Sequence, residues 1–499
     1  MIKNRCLTAK ITTLVLVILS ISACSTEEKS KPNIVIVLCD DLGYGDVQSL
    51  NPERGKIATP SIDKFATQGM VFTDAHSGSS VCTPTRYGLL TGRYSWRSRL
   101  QAYVVHGFDD CLIAPDRPTI ASFLKEQGYL TTIIGKWHLD YNYMDSSGTI
   151  LEKPKDRSIL APVGSTIPDG PLTHGFDSYH GFHHSKHMAA VIDNNKVVEY
   201  DDVVNMLPRI TNKSVEYIND RASDNSGQPF FMYIALNSPH TPHVPAPEWQ
   251  GKSGMSTYAD FVMQTDATLG AIVDALDRNG FKDNTLVIFS SDNGCSGPAS
   301  REHQLQKEFG HYSSAYMRGS KADIWDGGHR VPFIVRWPGN VEAGSQNDEL
   351  ICLTDIFHTC ADILDKPVPE TSCEDSYSFL DAFYGDALVS DRKGIIHHSI
   401  SGHFGYRMGK WKLCLAKGSG GWTAPKEKDV EEGTSFAQLY NLEEDPGETT
   451  NLYETHPEIV EKLLKQLEKE VMSGRSTPGP ESPNDLNKDK IRLWKSGQN

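Results

Sequence analysis

The sequence predicts an α/β fold: one large, mainly parallel sheet flanked by helices, followed by a smaller α+β region. Three observations carry that expectation. Five apolar runs have strand length and β-branched character, and they are continuous rather than alternating, as in strands covered on both faces. Helical patterns lie between them. Four of the runs are followed at once by ionisable or metal-binding side chains, and in an open α/β sheet the carboxyl ends of the strands are where ligands bind.

In chain order the strand-like runs are NIVIVL (33–38), LTTIIG (130–135), PFFMYIAL (229–236), NTLVIF (284–289) and VPFIVRW (331–337). The helical segment SIDKFATQG (61–69) opens on a serine cap and stops at Gly69. PTIASFLKEQG (118–128) offers Thr119 as its cap and ends at Gly128. YADFVMQTDATLGAIVDALDRNG (258–280) is long, amphipathic and closed by Gly280. These elements place the main domain at 33–370. Beyond Pro369 the texture changes: GIIHHSI, GYRMG and KWKLCLAKG read as short antiparallel strands. HPEIVEKLLKQLEKEV (456–471) reads as a helix with Ile459, Leu463, Leu464 and Leu467 on one face. Residues 371–472 are therefore expected to form the smaller α+β domain, and the Pro/Ser/Lys-rich tail 473–499 to be loosely held.

The N-terminus is expected to be processed. Lys3, Arg5 and Lys10 precede ITTLVLVILSI, which is too short to span a bilayer and has the form of an export signal over residues 1–23. It ends with small Ser22 and Ala23 before Cys24, similar to the lipobox of bacterial lipoproteins, in which the cysteine is lipidated and becomes the new N-terminus. Residues 24–32 would then be a polar tether, and the protein an exported lipoprotein held in the cell envelope, facing the periplasm or the cell surface. Losing three positive charges with the signal takes the formal charge from −15 to −18, which argues against nucleic acid as a partner because nothing would offset phosphate repulsion. Besides Cys6 and Cys24, eight cysteines remain without CxxC spacing, so neither a zinc site of that kind nor a dense disulfide framework is indicated.

The polar groups after the strands are Cys39-Asp40-Asp41, Lys136-Trp137-His138, Asn237-Ser238-Pro239-His240 and Ser290-Ser291-Asp292-Asn293-Gly294. Any one alone reads as a cap, a turn or a solvated charge. Together, Asp40, Asp41 and Asp292 converging on one crevice would repel one another unless a cation sat among them. Their carboxylates and the amide of Asn293 suit Ca²⁺ or Mg²⁺ rather than a soft metal. Lys136, Arg86 and Lys321 add positive charge, and such a site suits a tetrahedral oxyanion, sulfate or phosphate.

CTPTR at 82–86, followed by YGLLTGR, resembles the C-x-P-x-R signature of the sulfatase family. DDLGYGD (40–46), GKWHL (135–139), HGFD (174–177), SPHTPH (238–243), SDNG (291–294), RGSKADIWDGGHRVP (318–332) and LYNLEEDPGETTNL (439–452) are similar to that family's other blocks, in order. The resemblance implies an alkaline-phosphatase-like fold and hydrolysis of sulfate monoesters, most plausibly O-sulfate on a host or dietary glycan. It also implies oxidation of Cys82 to formylglycine by a formylglycine-generating or radical-type maturation enzyme that reads Pro84 and Arg86 in the unfolded chain. As a gem-diol this residue carries one hydroxyl to attack sulfur and a second to expel sulfate.

The roles that follow from the resemblance are these. Ca²⁺ binds Asp40, Asp41, Asp292, Asn293 and an oxygen of modified residue 82. Arg86 holds the diol oxygen. Lys136 and Lys321 contact the sulfate oxygens. His240 protonates the leaving alcohol, and His138 takes the proton of the second hydroxyl. Ser185 contacts sulfate, and His174 or a neighbour in the histidine-rich, otherwise hydrated loop 174–187 binds a sugar hydroxyl. One departure stands out: Asp326 occupies a position where the family often has Glu. Two other readings are a phosphonate monoester or phosphodiester hydrolase of the same superfamily, and an inactive glycan-binding lipoprotein.

Overall fold

The structure, a computed structural model, describes residues 31–224, 226–486, 491 and 493. The export signal, Cys24 and most of the tether lie outside the described residues.

Ten strands form the main sheet in the order Ser345–Asn347, Met70–Phe72, Phe333–Arg336, Thr285–Ser291, Asn33–Asp40, Phe230–Pro239, Leu130–Lys136, Ser178–Phe182, Ala190–Asp193 and Lys196–Tyr200. Its centre is parallel: Asn33–Asp40 pairs with Phe230–Pro239 on one side and Thr285–Ser291 on the other, and Leu130–Lys136 extends the run. These strands are buried along almost their whole length, as their unbroken apolar character requires. Alternation sends Ile34, Ile36 and Leu38 to one face and Val35, Val37 and Cys39 to the other, so two separate cores sandwich the sheet. Helices Pro60–Thr67, Met206–Asp224 and Thr257–Arg278 cover one face; Cys82–Thr91, Ile120–Glu126 and Ile356–Ile363 cover the other. Thr119 caps Ile120–Glu126 as expected, its side chain accepting from the Ser122 amide.

Of the five runs read from the sequence, one departs from the parallel expectation; Ala190–Asp193, not among them, is also antiparallel to both its neighbours. Phe333–Arg336 runs antiparallel to both Thr285–Ser291 and Met70–Phe72. It is as buried as the others, and burial is what a continuous apolar run encodes; strand direction depends on how the chain arrives.

The expected C-terminal elements are present. Strands Ile395–His398, Phe404–Met408, Trp411–Cys414 and Gln438–Asn441 form an antiparallel sheet, packed by helix Pro457–Met472 through Leu463, Leu467 and Val471. This core is shared with Tyr94 and Trp96 of the main domain. The tail is not loosely held where it is described. Ser476 and Thr477 donate backbone N–H bonds to the Glu374 carbonyl, Arg93 reaches the Pro483 carbonyl and Asp485, and Arg97 reaches Asn484. Main-chain bonding and two buried arginines fix it, together with Ile491 and Leu493, which are buried in the C-terminal core, and composition carries no trace of such bonding. The eight described cysteines are free thiols.

Candidate active site

Four strand ends and one helix start meet at the carboxyl edge of the sheet. Asp40 closes its strand and Asp41 follows with φ 70, a left-handed conformation that turns the second carboxylate back toward the first. Lys136 ends Leu130–Lys136, His240 follows Phe230–Pro239, and Asp292 and Asn293 follow Thr285–Ser291. Cys82 is the first residue of helix Cys82–Thr91, with Arg86 one turn further on the same side. Lys321 comes from the loop beyond residue 318, fixed by its own amide on the Cys295 carbonyl.

The charges interlock. Lys136 Nζ lies 2.8 and 2.7 Å from the two oxygens of Asp40. Lys321 Nζ lies 2.6 Å from Asp41 Oδ1, which also accepts from Asn293 Nδ2 at 2.8 Å. Arg86 donates to Asp292 Oδ2 from Nε and Nη2 at 3.0 and 2.7 Å, and its Nη2 is 3.7 Å from Asp40 Oδ1. Asp292 Oδ1 accepts the Asp41 amide. All seven of these side chains and Cys82 are buried. Three carboxylates thus face three cations. Burial would raise the Asp40 carboxyl, but Lys136, His240, Arg86 and Lys321 hold it well below the usual range. Burial pushes Asp292 up to about 7 despite Arg86, so its ionised form is under-stabilised here and a bound cation would favour it. Burial also raises the Cys82 thiol, leaving it inert as a simple nucleophile.

The oxygen set fits a hard divalent ion. One oxygen each from Asp40 and Asp292 and the Cys82 sulfur lie within 4.8 Å of one another, and the same holds for Asp40, Asp41 and His240. Asn293 Oδ1 is buried with no hydrogen-bond partner, an orphan that a cation would satisfy. A divalent ion added to this balanced cluster leaves a surplus of two positive charges, a match for an anionic ester and a deprotonated hydroxyl.

The two histidines present different nitrogens. His138, at φ 57, holds its Nε2 against the Val105 carbonyl at 3.1 Å, and its Nδ1 is buried and unpartnered. If Nε2 carries the proton, Nδ1 is a free base, and burial with Lys136 nearby keeps the ring neutral. His240 donates from Nδ1 to the Thr241 carbonyl at 2.6 Å, leaving Nε2 3.7 Å from Asp41.

Not every expected residue takes its expected place. Arg86 is committed to Asp292, Asp40 and the Lys136 carbonyl, so in this structure it orients carboxylates rather than an oxygen on residue 82. His174 stacks at 6.2 Å on Trp137, whose side chain is in the core, and its carbonyl accepts from Thr119. It therefore lies behind the strand end, in the packing. Ser185 starts the turn Ser185–His187, next to His184, whose ring is 5.4 Å from His138. The loop 174–187 is not hydrated: His174, His183, His184 and His187 are buried.

Several residues escaped the sequence reading. Tyr233 receives Arg86 Nη1 at 3.5 Å from inside an apolar strand, where nothing sets it apart. Asp46 accepts from the Gly43 amide and Tyr258 OH and contacts His311 Nε2, fixing the turn after Asp41; its place in DDLGYGD was the available signal. Asp326 bonds buried Lys412 at 2.7 Å, and Lys412 also pairs with Glu448. The shorter carboxylate is thus held by the C-terminal sheet.

A mostly parallel sheet that gathers carboxylates, lysines and histidines around one buried cysteine places the molecule among hydrolases of the alkaline-phosphatase-like class. The family model described as Sulfatase matches residues 32–366, and one described as N-sulphoglucosamine sulphohydrolase, C-terminal, matches 319–476. The chain belongs to the sulfatase family and is a sulfuric ester hydrolase. It is 31% identical to an N-acetylgalactosamine-6-O-sulfatase of Bacteroides thetaiotaomicron, over 89% of this chain and 93% of the relative. It is 29% identical to arylsulfatase A of Bos taurus, over 88% and 87%. A solved Bacteroides thetaiotaomicron structure, described under the metabolism of multiple glycosaminoglycans, superposes with a TM-score of 0.76 at 29% identity, covering 88% of this chain and 99% of that one. A sulfatase structure from Pseudoalteromonas sp. shares the fold, with a TM-score of 0.71 at 22% identity over 90% and 92%.

Proposed function

We propose that the protein removes O-sulfate from a carbohydrate, using formylglycine made from Cys82 and a calcium ion held by Asp40, Asp41, Asp292 and Asn293. The cluster of three buried carboxylates and three buried cations around Cys82, with the orphaned Asn293 Oδ1 beside it, carries this reading: a divalent ion would satisfy that oxygen and leave two positive charges for an anionic ester and a deprotonated hydroxyl. The 31% identity to an N-acetylgalactosamine-6-O-sulfatase supports a sulfated sugar, and a sulfated amino sugar is the first substrate to try.

The ion, when bound, polarises the sulfate and favours ionisation of a hydroxyl on residue 82. With Asp40 and Asp41 engaged in holding the ion, Lys136 and Lys321 would pair with sulfate oxygens and stabilise charge as the ester oxygen departs. His240, with Nδ1 already donating to the Thr241 carbonyl, takes up on Nε2 the proton given up by the attacking hydroxyl of residue 82 and delivers it to that oxygen, ending neutral. His138, with Nδ1 free, takes the proton of the second hydroxyl on residue 82 as sulfate leaves it, restoring the aldehyde. Arg86 keeps Asp292 in place throughout. The acidic chain and the lipobox-like Cys24 fit a lipid-anchored envelope enzyme.

The test is a panel of defined sulfated mono- and disaccharides run beside matched phosphate esters, with mass spectrometry of the residue-82 peptide from the native host. Sulfate release from a sugar and an aldehyde mass at residue 82 are expected. Preference for phosphate esters, or an unmodified thiol in active enzyme, would overturn the proposal.

A further inference from the structure

Beside the carboxylate cluster lies a second group of potential ligands, made only of imidazoles. After Ser178–Phe182 the chain passes through His183 and His184 into the turn Ser185–His187. One ring nitrogen from each of His183, His184 and His187 lies within 4.8 Å of the other two. The three rings are almost wholly enclosed, at 0%, 3% and 2% exposure.

Their hydrogen bonding is lopsided. His187 Nε2 is anchored on the Arg157 carbonyl and His184 Nε2 on the His106 carbonyl, both at 3.0 Å. His183 Nε2 accepts the Asp140 amide N–H at 3.1 Å and lies 3.3 Å from its Oδ1. Yet Nδ1 of His183 and Nδ1 of His187 are buried with no partner. Both face the same spot. A β-carbon on Gly107 would sit 3.3 Å from His187 Nδ1 and 3.4 Å from His183 Nδ1, and Gly107, at φ 88, is a position that favours glycine. Buried imidazoles usually find partners for their polar atoms. His187, with Nε2 donating to a carbonyl, leaves Nδ1 bare in the way metal-binding histidines are oriented; His183 matches once its proton moves to Nε2 and faces the Asp140 carboxylate, 3.3 Å away, in place of the amide.

We propose that His183, His184 and His187 form a second metal site, separate from the carboxylate centre, that takes Zn²⁺ or a similar borderline transition ion. Neutral imidazole nitrogens suit such an ion, whereas Ca²⁺ and Mg²⁺ prefer oxygen. Burial lowers the basicity of His184 and of His187, the latter to about 4, so both are neutral and able to ligate at ordinary pH. His184 Nδ1 accepts the Lys186 amide at 3.1 Å, and that bond yields if Nδ1 is the nitrogen that binds. Zn–N bonds of about 2.0–2.1 Å require the three rings to draw together on loading. Asp140 is the nearby anion that supports the charge, while Arg157 and Lys186 oppose it. The site also touches the chemistry: the His183 and His184 rings lie 5.9 and 5.4 Å from His138.

The experiment treats the purified full chain with chelator, restores excess CaCl₂, and adds ZnCl₂ or CoCl₂. Metal content after desalting, the visible spectrum of the cobalt form and X-ray absorption of the zinc form are read. One zinc per chain retained in excess calcium, a four-coordinate cobalt spectrum and imidazole scattering are expected. His187→Ala should lose the ion, Asp140→Asn should weaken it about 10–100-fold, and Asp292→Asn should keep it. Melting curves without zinc check that each variant is folded, and X-ray absorption of the unaltered protein decides the matter if a variant is not. No retained zinc, oxygen-only scattering, or loss in Asp292→Asn with retention in His187→Ala would overturn the proposal.

Discussion

At the scale of single residues, the centre is a set of ion pairs waiting to be exchanged. Asp292 is the least comfortable carboxylate, raised to about 7 by burial, and a cation should gain most from it. Asp292→Ala is expected to abolish sulfate-ester turnover and to erase the calcium-induced rise in melting temperature, which for ion at a hundred times Kd corresponds to about 2.7 kcal/mol. Unchanged turnover would remove Asp292 from the centre. The two histidines should fail differently. His240→Ala should lose far more activity on a sugar sulfate than on a nitrophenyl sulfate, whose leaving group needs little protonation. His138→Ala should cleave once and stall with sulfate on residue 82, visible as an intact-mass increase in quenched single-turnover samples. Equal losses on both substrates, with no adduct, would remove both assignments. Most of this centre was legible in the sequence because the residues are fixed to strand ends and to one helix start, where position along the chain translates directly into position in space. What was not legible came from side-chain direction. Trp137 sits between Lys136 and His138 yet lies in the core with His174 stacked on it, and Tyr233 reaches Arg86 from within a strand.

At the scale of elements, the C-terminal sheet is locked to the main one by charge as well as by apolar contact. Asp74, next to the short strand Ala75–His76, receives Arg407 of Phe404–Met408 through two contacts of 2.7 Å, with Arg330 at 3.3 Å and His76 at 2.8 Å. Burial alone would raise its carboxyl, but the His76 hydrogen bond and the two guanidiniums hold it well below the usual range. A depressed carboxyl contributes its full stability above the unfolded value of about 3.9 and loses it as pH falls toward the folded value. Asp74→Asn should therefore cost about 3–5 kcal/mol at neutral pH, read from urea midpoints. That cost should shrink as pH drops below about 4. A cost that stays constant from pH 7 to pH 3 would show that the pairing is not what stabilises this junction. The helices and the central parallel strands were readable because burial and period are written in residue type. The direction of Phe333–Arg336 and the bonding of the tail were not, since both depend on where distant backbone lies.

At the scale of the whole molecule, an acidic chain of formal charge −15 is expected to be held at a membrane by lipid on Cys24 rather than by attraction to anionic headgroups. Cys24→Ala should move the protein from the membrane fraction to the soluble one in cell fractionation; retention in the membrane would end the lipoprotein reading. The tail adds a consequence of another kind. The helix that begins at Cys82 is followed directly by Arg93 and Arg97, and these are gripped by Asp375, Asn484 and Asp485. The fixing of the chain just beyond this helix thus waits on residues made near the end of synthesis. At about 5–20 residues per second, roughly 20–80 s separate the emergence of residue 82 from that of residue 485. Chain length here acts as a clock: if Cys82 is oxidised before folding, as proposed, it bounds how long the segment beyond the thiol stays unfixed, and the last stretch to be translated closes the door.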